Sequence, residues 1–142
     1  MAEARSSNDA VIWFRLLLPS GALGPGKIAL MRAIVDTGSV SGAARSLRMS
    51  HARSVKLVAE INALASTPLI DTRAGGQSGG GASLTTLGLA VLNSYAEVET
   101  NILHAAEASL QRFSQLLAAS GEKSVGGSRP ELPLPKEERR VK

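Results

Sequence analysis

Residues 40–61, VSGAARSLRMSHARSVKLVAEI, decide the fold. Val40 is followed by Ala44 at +4, Leu47 at +7, Met49 at +9, Val58 at +18 and Ile61 at +21. That spacing predicts two short helices joined by a tight turn. The first has an inner stripe of Val40, Ala43, Ala44 and Leu47, with Ser39 or Ser41 as its cap. Arg48-Met49-Ser50 is the connection, and Ser50 caps a second helix from about His51 to Leu64. The second helix turns Ser54 or Val55, then Val58, Ile61 and Leu64, inward. Small residues at Ala43 and Ala44 let the helices cross closely, and Met49 plugs the turn. The pattern has the spacing of a helix-turn-helix, although a plain helical hairpin uses the same small residues and short turn.

Upstream, Ile28, Met31, Ile34 and Val35 repeat at helical spacing over Lys27–Thr37, and Gly38 ends that helix. Residues 11–18 read as a short strand, followed by a loop marked by Pro19, Gly21, Gly24 and Pro25. Thr67-Pro68 stops the helix that begins at His51. Residues 69–73 and 82–84 then read as two strands around a glycine-rich tip, a hairpin or wing. Thr85 or Thr86 opens a last helix that runs to about Ala119, roughly 50 Å at 1.5 Å per residue. Its stripe is Leu87, Val91, Tyr95, Val98, Ile102, Ala105, Phe113 and Leu116, close to a 3.5-residue period. A seam of that length needs a partner, and the simplest is a second copy of the chain.

The expected class is therefore mainly α with a small β wing: a winged helix-turn-helix with a long C-terminal dimerisation helix. Residues 1–10 read as a flexible N-terminus, 11–84 as the winged unit, 85–120 as the dimerisation helix and 121–142 as a disordered tail.

Composition narrows the function. The 142 residues are 44% hydrophobic but only 3% aromatic, which favours a helical core over a β-sandwich. The absence of cysteine excludes disulfide scaffolds, thiolate metal sites and thiol nucleophiles. His51 and His104 are the two histidines and lie far apart, so no histidine metal site is expected. No apolar run approaches a membrane span and no secretory leader is read, so a cytoplasmic location is expected. Ser, His and Asp are not bracketed into any nucleophile elbow or carboxylate pair, so no enzyme is expected. Gly81 is followed by Ala82-Ser83 rather than lysine, which argues against a nucleotide phosphate loop.

The net charge of +4 is unevenly spread. Residues 25–73 carry seven Lys or Arg against three Asp or Glu, whereas residues 84–120 carry one against three. A basic first half suits a polyanion, and in a helix-turn-helix the second helix enters the major groove by its N-terminus. The expected contacts there are Ser50, His51, Ala52, Arg53 and Lys56. Arg53 would bond a guanine edge, Lys56 the backbone, and Ser50 a phosphate. Ser39 and Ser41, on the preceding helix, join the set. In the wing, Arg73 lies on the strand leading in, and Gly79, Gly80 and Gly81 bring bare backbone N–H groups to phosphates. The competing reading is a winged-helix protein-interaction module, with the stripe from Val91 to Leu116 meeting another protein.

Three stretches also carry a family likeness: Gly38-Ser39-Val40-Ser41-Gly42-Ala43-Ala44, Met49-Ser50, and the wing from Arg73 to Thr85, together with Gly88. They resemble the amino-terminal winged helix-turn-helix domain of ModE-type, molybdate-responsive transcription regulators, which is itself similar to LysR-type domains. The likeness covers roughly residues 12–117. It implies a homodimer joined through the last helix and a pseudo-palindromic double-stranded DNA site. In that family molybdate is bound by carboxy-terminal β-barrel domains. Residues 121–142 do not resemble them, so no cofactor is expected of this chain.

Overall fold

The computed structural model describes residues 10–74 and 80–120. Their order is β1 (Leu16–Leu18), β2 (Gly21–Leu23), α1 (Pro25–Thr37), α2 (Val40–Ser46), α3 (His51–Asn62), β3 (Ile70–Arg73), β4 (Gly81–Leu84) and α4 (Thr86–Ala119). The protein is mainly helical, with two separate antiparallel two-stranded sheets, β1–β2 and β3–β4. The core lies where α1, α2 and α3 meet. Ile28, Leu30, Met31 and Ile34 come from α1, Ala43 from α2, and Leu57, Val58 and Ile61 from α3. Leu69 and Ile70 close it from the side of β3. Each fully buried aliphatic side chain contributes about 1.5–3 kcal/mol.

Local chemistry explains where the elements stop. Pro25 starts α1, and Gly38 ends it at φ 73°, its N–H donating to Ile34 O. The Gly38 carbonyl then accepts from Ala82 N–H at 2.8 Å, tying β4 to the end of α1. Ser39 is the cap of α2: its Oγ accepts from Gly42 N–H at 2.9 Å. Ser50 caps α3 in the same way, accepting from Arg53 N–H at 3.2 Å. Between them, Arg48 N–H donates to Arg45 O and Met49 N–H to Ala44 O, the paired bonds of a Schellman ending. That motif needs a left-handed residue, and Arg48 supplies it at φ 54°. For a residue with a Cβ that conformation costs about 1–2 kcal/mol. Arg48→Gly is therefore expected to raise stability by up to about 1 kcal/mol in urea unfolding, once the greater freedom of glycine in the unfolded chain is subtracted.

Several expectations need correction. The strand expected over residues 11–18 is only Leu16–Leu18. Its partner β2 has three residues, so pairing ends at Leu16 opposite Leu23. Further back, Phe14 is engaged elsewhere: its ring stacks on Tyr95 at 4.8 Å between centroids, and its carbonyl accepts from the Tyr95 hydroxyl at 3.1 Å. β2 itself lies in what reads as loop. Helix α3 ends at Asn62 rather than near Leu64: the chain tightens there, Leu64 N–H donating to Ile61 O at 3.1 Å, and the Asn62 side chain bonds β3 instead, accepting from Ile70 N–H at 2.9 Å. Of the alternatives Ser54 and Val55, Ser54 faces the core, its hydroxyl donating to His51 O at 2.6 Å, and Val55 is 50% exposed. Residues 1–9 of the expected N-terminal stretch over 1–10, residues 75–79 of the glycine-rich tip, and the expected tail over 121–142 lie outside the described residues.

The long helix is attached by its first half. Thr85 caps α4, accepting from Gly88 N–H at 3.0 Å and donating to Pro68 O at 2.8 Å. Val91 and Leu92 pack on the core, and Tyr95 is inside it. Glu99 pairs with Arg32 of α1 at 3.7 Å. Burial pushes the Tyr95 phenol above its usual pKa, Glu99 adds to the rise, and Arg32 opposes it.

Candidate functional site

With Ser54, Leu57, Val58 and Ile61 turned inward, α3 presents Ala52, Val55, Lys56 and Ala59 to solvent. A groove of about 560 Å³ runs along one flank of that face. Ser39, Val40 and Ser41 from the start of α2 form one end, His51, Val55 and Val58 the side, and Thr72, Arg73, Gly80 and Gly81 the far wall. The β3–β4 register sets Arg73 opposite Gly81, at the end of the hairpin where the two strands are connected. Gly81 sits against the Gly38 carbonyl, so the same contact that holds β4 to α1 fixes the hairpin beside α3.

The sequence-derived contact set is thus divided. Ser39, Ser41, His51, Arg73, Gly80 and Gly81 share this groove. Ser50 and Ala52 are exposed at the start of α3, beside it. Arg53 and Lys56 face the opposite flank, toward the β1–β2 hairpin. Arg53 is half-buried rather than exposed, one turn before buried Leu57. Lys56 is exposed but lies 3.9 Å from Glu60, one turn on. Gly79 lies outside the described residues.

The groove's chemistry is that of a cationic, hydrogen-bonding surface with an apolar strip. Ser39 and Ser50 use their lone pairs in capping, yet each hydroxyl keeps a proton to donate. The His51 and Ala52 amides have no acceptor within their own helix, as at any helix start, and carry the positive end of its dipole. Val55 adds an exposed methyl surface that the period alone does not separate from Ser54.

The long seam is divided too. Val91 packs on the core, Tyr95 is 3% exposed inside the chain, and Val98 and Ile102 are half-buried. Ala105 is exposed, while Phe113 at 59%, Leu116 at 71% and the unforeseen Leu117 at 61% form the bare apolar end. Among the described residues no cluster of three or more His, Cys, Asp or Glu could hold a metal, and no helix is long and apolar enough to cross a membrane.

No protein-family model matches the chain. It is 35% identical over 80 residues to the molybdenum-pterin-binding protein MopB of Rhodobacter capsulatus, covering 56% of this chain and 30% of that one. It is 30% identical over 81 residues to the transcriptional regulator ModE of Haemophilus influenzae, covering 57% and 32%. It is 32% identical over 96 residues to the molybdenum transport protein ModE of Azotobacter vinelandii, covering 68% and 34%. Over half or more of its length the chain is therefore similar to a molybdenum-pterin-binding protein, a transcriptional regulator and a molybdenum transport protein, about a third of whose own length it spans.

Proposed function

We propose that the chain is a winged helix-turn-helix regulator that binds double-stranded DNA as a homodimer, with α3 as its reading helix and β3–β4 as its wing. The observation that carries this reading is the single groove lined by the start of α2, the outer side of α3 and Arg73 of the hairpin. Its likeness to two ModE proteins, one of them described as a transcriptional regulator, supports it. His51 reads a base edge, and Val55 and Ala52 meet thymine methyl groups. Arg73 and the hairpin amides hold phosphate. Phe113, Leu116 and Leu117 support pairing of two chains through the far end of α4. The role is binding rather than catalysis, in the cytoplasm, at a two-fold, pseudo-palindromic site.

Selection of duplexes from a random pool, with and without molybdate, followed by fluorescence anisotropy, tests it. A recovered palindrome is expected, with affinity falling at least about tenfold between about 50 and 200 mM salt. Arg73→Ala is expected to weaken every duplex alike and lower the salt slope by about 0.9. Absence of duplex binding at low salt would overturn the reading and favour a protein-interaction module.

A further inference from the structure

His51 is exposed on the first turn of α3 and shares the groove beside the β3–β4 hairpin with Ser39, Ser41, Thr72 and Arg73. No carboxylate is among the lining residues of that groove. The charged groups on the elements around it are few. Arg45 of α2 and Arg48 of the turn before α3 are cations. Asp71 of β3 pairs in register with Ser83 and does not line the groove. On α3 itself, Arg53, Lys56 and Glu60 belong to the opposite flank. An imidazole ordinarily changes charge between pH 5 and 8. Neutral, it has one donor and one acceptor; charged, it has two donors and no acceptor. The lining residues give the charged form no anion to face. A duplex in the groove brings phosphates, and a guanine edge brings two acceptors, N7 and O6.

We propose that His51 meets a guanine edge as an imidazolium, so that each subunit takes up a proton as it binds duplex. The inference rests on the DNA-binding reading above and adds to it the base that is read and the charge of the group that reads it. The charged ring gains from the acceptors of guanine and from the field of the flanking phosphates together. Adenine sets an N6 amino donor where guanine has O6, and a ring with donors alone disfavours it. The bound protein then holds more protons than the free one, so affinity rises as pH falls.

The test uses the full chain and one duplex recovered by the selection above, at fixed salt. Affinity is expected to rise at least about fivefold from pH 8 to pH 6 in the wild-type chain, and less than about twofold in His51→Gln, whose amide donates but does not titrate. His104→Gln, a change at the exposed histidine of α4, should keep the full effect. Replacing one particular guanine of each half-site by adenine should remove it. Titration of the histidine ring protons by nuclear magnetic resonance, with and without duplex, gives an answer that needs no variant: the His51 midpoint should move up on binding, and by more than that of His104. A wild-type affinity that ignores pH, an effect that His51→Gln retains, or a His51 midpoint that duplex does not raise would overturn the proton uptake and leave the DNA reading standing. An effect that survives replacement of each half-site guanine in turn would overturn the guanine contact. Failure of the wild-type chain to bind duplex at either pH would overturn both readings.

Discussion

Gly88→Ala is expected to cost about 3 kcal/mol, near the upper end of overpacking penalties, even though the same change favours helix formation. Gly88 lies in the first turn of α4, against the backbone of Leu69. A Cβ there would fall on the Leu69 carbonyl oxygen and come within 3.0 Å of the carbonyl carbon. Neither atom can step aside cheaply. The Leu69 carbonyl accepts from Thr85 N–H at 3.0 Å, and Leu69 itself is buried. Helix propensity alone predicts the opposite sign, a gain of about 1 kcal/mol for alanine over glycine. Urea unfolding followed by circular dichroism therefore decides between the two effects. A stabilised Gly88→Ala variant would mean that α4 and β3 do not meet this closely.

The second large effect is expected at Asn62. Its Oδ1 accepts from Leu69 N–H at 3.0 Å and from Ile70 N–H at 2.9 Å, while Nδ2 donates to Ile70 O at 3.1 Å. One side chain therefore completes the end of α3 and the start of β3 together. Asn62→Ala leaves these groups without partners beside buried Leu69 and Ile70, at about 1–3 kcal/mol for each one that stays dry. A total loss of about 3 kcal/mol is expected. Hydrogen exchange at the Leu69 and Ile70 amides should quicken by about a hundredfold if the loss is local, since 1.4 kcal/mol is one factor of ten. Asn62→Asp keeps the acceptor, loses the donor, and adds a negative charge at a helix C-terminus, so it should retain part of the protection. Unchanged exchange in Asn62→Ala would show that the clamp is idle.

What was legible in the chain follows from the range of the forces involved. Gly38 as a helix end and Ser50 as a helix cap can be read because their work is done within four residues. The β3–β4 hairpin is also local. Tyr95 is different. Its apolar spacing marks it as a seam residue, but spacing cannot say whether the partner belongs to another chain or to this one. Here it is Phe14, 81 positions away. Arg53 shows the same limit on a smaller scale. Its place on the helix that begins at His51 is evident, but the side it takes depends on a β1–β2 hairpin whose second strand carries almost no strand signal. Asn62 gives no sign beyond being an amide near a helix end.

The attachment of α4 has a geometric consequence. Among the described residues, the contacts named above that hold it to the body run from Gly88 to Glu99. The remainder, from Thr100 to Ala119, extends about 30 Å as one helical rod. If two molecules join near Phe113, that rod works as a calliper arm. Each residue inserted into it would swing the far end by about 100° and advance it about 1.5 Å. The distance and phase between the two joined bodies would then be encoded in the number of residues between Glu99 and Phe113.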